Sequence, residues 1–210
     1  NKNKKELKIM KIFDCFMYFD EEVVLEVRLN TLDKFVDYFV IVESKFTHKG
    51  DPRDLRFNHK KFEKFKDKII YLVHEEIPKE IEIVSHNDTE KEKSRKYIFN
   101  ASYRENGQRN YIQKGLFHAK DNDLILISDV DEIPNLLNVN FEKINAKIIL
   151  FKQDMFYYKF NLYLPNLLWT GTKACRKKHL ISPQWLRNVK DHKYPFYRID
   201  TIFSKNKYTN

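Results

Sequence analysis

The feature that most constrains the fold is a short apolar run that ends in a cluster of acids. Residues 124–127 read Leu-Ile-Leu-Ile, and four consecutive apolar residues of this kind predict a buried β-strand. Ser128 follows, carboxylates occupy three of the next four positions, and Pro134 prevents the strand from continuing. The pattern therefore predicts a strand whose C-terminal end presents acidic side chains.

These acids also indicate a chemistry. Side chains alternate with a period of two along an extended chain, so Asp129 and Asp131 point to the same side. Two neighbouring carboxylates repel each other unless a cation lies between them, and Mg²⁺ or Mn²⁺ binds oxygen ligands while keeping positions for substrate phosphates. A solvated turn that closes the strand has the same composition. The pattern alone leaves both interpretations open.

Strand and helix patterns alternate along the rest of the chain. Strands are predicted at residues 8–19, 37–44, 69–73, 124–128 and from 148 to 151, and residues 155–164 form an aromatic, strand-like stretch. Helical patterns occupy residues 20–31, a short segment around Phe62 and Phe65, and residues 91–119. This order predicts an α/β fold with a mostly parallel central sheet flanked by helices.

Polar residues lie at the predicted ends of three strands. Asp14 lies near the end of the first strand, Glu43 and Ser44 end the second, and Asp129 and Asp131 follow the fourth. In open α/β sheets, ligands bind beyond the C-terminal ends of the strands. We therefore expect these side chains to converge, and the convergence favours the metal site over the solvated turn.

Composition narrows the class of protein. The 210 residues are 42% hydrophobic and 15% aromatic, which suffices for one domain with a substantial core. The net charge of +9 favours anionic partners. However, the basic residues form no RNP, helix-turn-helix or zinc-finger arrangement, so nucleic acid is not an expected partner. Cys15 and Cys175 are interpreted as free thiols, because one possible pair is not a disulfide framework.

Four segments carry a resemblance to a known family. They are residues 11–21 (KIFDCFMYFDE), 36–44 (VDYFVIVES) with the nearby Phe-Thr and Gly-Asp-Pro of residues 46–52, 105–110 (ENGQRN) and 123–134 (DLILISDVDEIP). In order and spacing they resemble glycosyltransferase family 17, the β-1,4-mannosyl-glycoprotein β-1,4-N-acetylglucosaminyltransferases. The resemblance extends over about the first 135 residues.

The resemblance implies a GT-A type nucleotide-sugar-binding fold and an inverting, metal-dependent transfer. N-acetylglucosamine would pass from UDP-N-acetylglucosamine to a glycan acceptor of the β-mannose type. It further implies one glycosyltransferase domain over residues 1–210 that is incomplete at its C-terminus. Residues 1–134 would be the donor- and metal-binding half, and residues 135–210 the start of the acceptor half.

The resemblance also assigns roles at the donor site. Asp131 would coordinate Mn²⁺ (or Mg²⁺) bridging the donor diphosphate, and Asp129 would contact the ribose or the metal and its water shell. Glu43 and Ser44 would lie at the uracil or ribose, with a cap on the strand end as the alternative, and Asp14 joins them on the donor side. Arg109 would reach the diphosphate or buttress the acidic motif, because a guanidinium matches phosphate and carboxylate geometry; a solvated or ion-paired helix residue is the alternative.

The candidates for acceptor contact and for the general base are chosen by their positions in the sequence. Glu132 and Asp154 are candidates for the carboxylate that deprotonates the acceptor hydroxyl. Tyr158, Tyr163 and Trp169 are candidates for sugar contact, with burial in the core as the alternative.

Two further functions remain open at this point, and so does the compartment. The chain could use a different nucleotide sugar in polysaccharide or glycolipid assembly, or be a non-catalytic basic module that binds nucleic acid or glycan. No run of about 20 apolar residues and no signal peptide occurs in the sequence. We therefore expect a cytoplasmic protein with possible peripheral membrane association, or a Golgi lumenal one if an N-terminal anchor has been removed. The sequence makes no prediction of oligomeric state.

Overall fold

A computed structural model describes residues 10–157 and 161–191. In these residues the regular elements, in chain order, are β1 (Ile12–Tyr18), α1 (Glu22–Leu32), β2 (Tyr38–Ser44), β3 (Ile69–His74), α2 (Glu90–Tyr111), β4 (Leu124–Ser128), β5 (Ile148–Phe156), β6 (Tyr163–Arg176) and α3 (Pro183–Asn188). Short 3₁₀ helices occur at Glu63–Phe65, Ile112–Leu116, Phe141–Lys143 and Lys177–His179. Tyr158, a candidate for acceptor contact, lies outside the described residues.

The six strands form one sheet in the order β3-β2-β1-β4-β6-β5. Strands β1 to β4 pair in parallel, β6 runs antiparallel to β4, and β5 runs antiparallel to β6. The predicted α/β fold with a mostly parallel sheet and flanking helices is therefore confirmed. The strand order reverses between β1 and β4, and the C-terminal ends at such a switch point form the usual ligand crevice of these sheets.

Two apolar layers cover the faces of the sheet. On one face Leu25, Leu29 and Leu32 of α1 pack over β1 and β4, and on the other face the segment after α2 packs with α3. The strands β1 and β4 are buried on both sides, as their continuous apolar sequence requires.

The two cysteines lie on opposite sides of β4. Cys15 is in register with Ile127, and Cys175 is in register with Ile125. Two strand spacings separate them by about 10 Å, which is beyond the Cα distance of about 7 Å that a disulfide can bridge. Both are buried free thiols, and that prediction is confirmed.

The sequence misplaced two features of the sheet. The aromatic stretch 155–164 is not one strand, because β5 ends at Phe156, β6 begins at Tyr163, and the Tyr157 amide donates to the Leu162 carbonyl across the connection between them. The prediction that Asp14 marks the end of the first strand is also wrong. Strand β1 continues to Tyr18, so Asp14 lies inside it.

The longest helix, α2, carries a functional candidate to the sheet. It begins with a capping box, in which the Thr89 hydroxyl accepts from the Glu92 amide and the Glu92 carboxylate accepts from the Thr89 amide. It then runs across the sheet and buries Arg109 in its last turn. Within the described residues, no helix has both the length and the apolar character required to cross a membrane.

Candidate active site

The acidic turn, defined as Asp129–Glu132, follows β4 at the switch point of the sheet. The Asp129 amide donates to Oε2 of Glu132 at 2.9 Å, and the Glu132 amide donates to the Asp129 carbonyl at 3.1 Å. The two bonds close the chain into a tight loop directly after Ser128. The sequence therefore placed the strand end and its acids correctly.

A buried arginine that the sequence reading missed lies beneath the turn. Arg28 of α1 is 0% exposed and donates from its NH1 group to the carbonyls of Asp129, Val130 and Glu132 at 3.0–3.1 Å. Its NH2 group also donates to the hydroxyl of Ser128. The available signal was a cation at an apolar position of α1, since its neighbours on that helix face are leucines.

Asp14 is the counter-ion of this arginine. Its two carboxylate oxygens accept from Nε and NH2 of Arg28 at 2.8 and 2.6 Å, and both side chains are fully buried. A side chain without exposed surface has no direct access to a donor molecule in this conformation. The predicted donor contact of Asp14 therefore does not fit the structure, which gives it a role in holding Arg28.

Two more arginines bind the carboxylates of the turn from the other side. Arg109 donates to Oδ1 of Asp129 at 3.0 Å, and Arg187 of α3 donates to Oδ2 of Asp129 at 2.7 Å. Arg109 also contacts Glu105 and Gln184, and its Nε has no partner among the described residues. Of the two expected roles of Arg109, the structure shows the contact that buttresses the acidic motif. The sequence reading did not include Arg187.

Glu132 is saturated with hydrogen bonds. Its carboxylate accepts two bonds from Arg187 at 2.8 Å, one from the Trp169 indole at 2.6 Å and one from the Asp129 amide. The residue is 8% exposed. A carboxylate has about four acceptor positions, so none remains for the proton of an acceptor hydroxyl. Glu132 therefore does not fit the role of general base that its position in the sequence predicted.

Asp131 has the opposite surroundings. Asp131 is exposed, and no described side chain donates a hydrogen bond to its carboxylate or forms an ion pair with it. Partial burial of the carboxyl group raises the pKa of Asp131, a hydrogen bond from its own backbone amide opposes this shift, and the nearby charges of Glu132 and Asp129 add to it. A carboxylate with raised pKa and no local cation is a group whose charge an external cation would stabilise.

The acidic turn separates two grooves. The first groove, of about 350 Å³, lies over the C-terminal end of β1 and the start of α1. It is lined by Met17, Tyr18, Phe19, Glu21, Val24, His48, Glu105, Gln108, Arg109 and residues 129–131. The second groove, of about 530 Å³, lies toward the hairpin of β5 and β6. It is lined by Val24, Asp129, Asp131, Glu132, residues 153–156, Trp169 and Arg187. Asp129 and Asp131 contribute to both grooves.

Glu43 and Ser44 lie apart from both grooves. The Glu43 carboxylate is fully buried and accepts from the amides of Arg56 and Phe57, the Tyr71 hydroxyl and the guanidinium of Arg53. The Ser44 hydroxyl accepts from the Phe46 amide. These contacts match the alternative reading, a cap that ties the following loop to the end of β2.

The remaining candidates lie on the hairpin. Asp154 is exposed in the second groove, and its only described hydrogen bond comes from the Tyr163 hydroxyl at 3.3 Å. Trp169 is 44% exposed in the same groove while its indole N–H binds Glu132. Thus Asp154 and Trp169 line the same groove as Asp131, and Tyr163 is joined to it through Asp154.

The donor set fits a cation that also binds substrate, rather than a closed protein site. Among residues 10–157 and 161–191, no cluster of three or more His, Cys, Asp or Glu side chains is arranged to hold a metal ion. Asp131 has no described cationic partner, and Asp129 keeps unused acceptor positions at 38% exposure. Mg²⁺ and Mn²⁺ are commonly held by one or two carboxylates together with substrate phosphates. The two aspartates meet that requirement.

Comparison with known proteins identifies one family. A model of glycosyltransferase family 17 matches residues 2–184 of the chain. Separate searches of curated proteins and of solved structures gave no match. The family match extends beyond the four segments that carried the resemblance, through β6 and into the first turn of α3.

Proposed function

Because the chain belongs to glycosyltransferase family 17 and is a glycosyltransferase, we propose that it is an inverting, metal-dependent enzyme. It moves N-acetylglucosamine from UDP-N-acetylglucosamine to a glycan acceptor of the β-mannose type. The family decides against the non-catalytic alternative, and the donor, the acceptor and the metal are parts of the proposal.

One observation carries the proposal: the carboxylate of Asp131 has no cationic or side-chain partner among the described residues and lies between two grooves. An inverting glycosyl transfer needs the acceptor hydroxyl and the leaving phosphate on opposite sides of the anomeric carbon, with the leaving phosphate held at the junction. Asp131 lies at such a junction. It is also the one carboxylate of the acidic turn that no described arginine neutralises, so its charge is available to a cation.

The first groove is the better candidate for the nucleotide. It lies over the C-terminal end of β1 at the switch point, where open α/β sheets bind their ligands. Arg109 contributes a positive charge to its wall, and Phe19, which is 44% exposed, contributes aromatic surface. Asp129 and Asp131 would hold a divalent cation against the diphosphate. When bound, the cation would neutralise the charge that develops on the leaving UDP.

The second groove would hold the acceptor glycan. The exposed face of Trp169 offers apolar surface for a sugar ring in this groove, and Tyr163 lies beside it, in contact with Asp154. Asp154 would accept the proton of the attacking hydroxyl, since it is exposed in this groove and lacks a cationic partner among the described residues. The hydroxyl oxygen forms the new bond to the anomeric carbon as the bond to the phosphate oxygen breaks, and the configuration inverts.

Binding of UDP tests the donor site. We expect Mn²⁺-dependent binding by calorimetry, and we expect Asp131→Ala to weaken it by about 10- to 100-fold. Asp67→Ala is the matched control, because Asp67 is an exposed aspartate that precedes the edge strand β3, whereas the acidic turn follows the C-terminal end of the central strand β4. Affinity that is unchanged in Asp131→Ala, or unaffected by EDTA, would contradict the proposal.

The choice of sugar needs a second measurement. Hydrolysis of a panel of UDP- and GDP-sugars in the presence of Mn²⁺ would show whether UDP-N-acetylglucosamine is preferred. A clear preference for another nucleotide sugar would keep the fold and the metal site. It would move the function to polysaccharide or glycolipid assembly, the enzymatic alternative that the sequence left open.

A further inference from the structure

We propose that Arg28 is the positioning residue of the acidic turn, and that its hold on the turn backbone sets the directions in which Asp129 and Asp131 project. Arg28 itself is fully buried and lines neither groove, so it acts through the turn rather than on a substrate. This role rests on the function proposed above, because the turn that Arg28 orders is the proposed metal and donor site.

Stability of the core does not explain an arginine at this position. Arg28 occupies the apolar face of α1 among Leu25, Leu29 and Leu32, all fully buried. Removing a guanidinium and a carboxylate from water is costly, and a buried ion pair is often no more stabilising than apolar residues of similar volume. The pair of Arg28 and Asp14 therefore needs a reason beyond packing.

That reason lies in the backbone of the turn. Three carbonyl oxygens, those of Asp129, Val130 and Glu132, converge on the NH1 group of Arg28. A buried carbonyl without a partner costs free energy comparable to a lost hydrogen bond. Arginine can satisfy this arrangement because it presents five donors in a fixed planar fork, whereas the ammonium group of lysine presents three on a flexible stem.

The orientation of Arg28 is itself fixed. Asp14 binds the Nε–NH2 edge through both carboxylate oxygens, which leaves NH1 directed at the turn. The guanidinium also lies 4.5 Å from the ring centre of Phe16 on β1. A rigid donor facing inward-pointing carbonyls leaves the side chains of Asp129 and Asp131 directed toward the grooves. Preorganisation of this kind is what keeps binding groups in productive geometry.

Two variants separate a role of Arg28 in positioning the turn from a role in folding of the protein. Arg28→Lys keeps the charge beside Asp14 but removes the planar fork. The double variant Arg28→Met/Asp14→Leu replaces the ion pair with apolar residues and leaves no buried charge. The control is Leu32→Ala, which creates a cavity one turn further along α1. We expect it to lower stability without changing the contacts between Arg28 and the acidic turn.

The first readout is amide hydrogen exchange over residues 124–134, which requires no ligand. We expect the turn to exchange at least about 10-fold faster in both Arg28 variants at matched global stability, while Leu32→Ala keeps the protection pattern of the wild type. The second readout is UDP affinity with Mn²⁺, expected to fall by about 10- to 100-fold in the Arg28 variants. In Leu32→Ala we expect it to stay within about twofold, since Leu32 is the last residue of α1 and its carbonyl accepts from the amides of Phe35 and Val36, outside the turn.

The results for these variants decide whether Arg28 positions the acidic turn. A folded Arg28→Met/Asp14→Leu variant with wild-type exchange in the turn and wild-type UDP affinity would overturn the role of Arg28. If that variant does not fold, the same two results in Arg28→Lys would overturn it. If the wild type binds no UDP, the proposed function fails, yet the exchange comparison still tests whether Arg28 orders the turn.

Discussion

At the scale of single residues, the carboxylates of the site differ in what surrounds them, and the difference sets what each can do. Glu132 accepts four hydrogen bonds and is buried. Asp129 accepts one bond from each of two arginines and stays partly exposed. Asp131 has no cationic or side-chain partner among the described residues, and Asp154 has one long side-chain contact, to Tyr163. These surroundings favour a structural role for Glu132, ligand contact for Asp129 and Asp131, and proton transfer for Asp154.

Neutralising Asp154 and Glu132 one at a time tests this division. Asp154→Asn removes the proposed base but no structural contact of the turn, so we expect kcat to fall by about 10²–10⁴-fold with UDP affinity unchanged. Glu132→Gln puts an amide against the donors of Arg187 and Trp169, so we expect lower thermal stability and weaker UDP binding. Steady-state kinetics, calorimetry and thermal unfolding of both variants provide the measurements. Full activity of Asp154→Asn would exclude it as the base.

One buried residue outside the site gives a pH dependence. His74 at the end of β3 is 4% exposed, and its Nδ1 has no hydrogen-bond partner among the described residues. Burial lowers the pKa of His74 below its usual 6.5; the charge of Glu76 opposes this shift and that of Lys114 adds to it. The unfolded chain therefore binds the proton first as the pH falls, so stability that is complete above pH 6.5 is lost as the pH falls through the folded-state pKa.

His74→Gln is the variant that isolates this contribution. Glutamine cannot titrate, so we expect the free energy of unfolding to fall less steeply between pH 6.5 and pH 5 than in the wild type. Urea unfolding at a series of pH values provides the comparison. The same slope in both proteins would mean that His74 is protonated equally in the folded and unfolded states.

At the scale of elements, β6 joins the sheet to the site through a glycine. A Cβ added to Gly171 would lie 2.2 Å from Oε1 of Gln153 and 2.9 Å from Cδ of Glu132. The Gly171 carbonyl also accepts from Arg187 of α3. Two residues after Gly171, buried Lys173 donates to the Arg187 carbonyl. Burial, together with the charge of Arg187, lowers the pKa of Lys173 to about 8. The strand thus sets the positions of both Glu132 and α3.

A pair of glycine substitutions tests this requirement. Gly171→Ala must displace Gln153 or Glu132, so we expect a loss of about 1–3 kcal/mol in unfolding free energy and weaker UDP binding. Gly107→Ala is the matched control, because its nearest contact would be an ordinary 3.5 Å and it lies inside α2. There we expect a gain of up to about 1 kcal/mol.

Denaturant unfolding of the two alanine variants provides the measurement. The double variant Gly171→Ala/Gln153→Ala removes the closest clash and should recover part of the loss. If Gly171→Ala is as stable as the wild type and binds UDP equally well, the close approach of β6 to Glu132 does not matter for the site.

At the scale of the whole molecule, the sheet brings distant parts of the chain to one turn. The arginines that contact Asp129 are 101, 20 and 58 residues away in sequence, at positions 28, 109 and 187. They come from α1, α2 and α3, which lie on the two faces of the sheet. The site is therefore a product of the topology, in which the strand order reverses beside β4.

The sequence alone determined the features that depend on neighbouring residues. The strand β4 follows from its four consecutive apolar residues, its end from the acids and Pro134 that come after Ser128, and the alternation of strands and helices predicted the mostly parallel sheet. Family resemblance assigned a glycosyltransferase. Only the tertiary structure decided which acids remain available. The charge of a carboxylate is neutralised by whichever cation the fold places beside it, and no local pattern reveals that Asp14 binds Arg28, that Glu132 binds Arg187, or that no described cation binds Asp131.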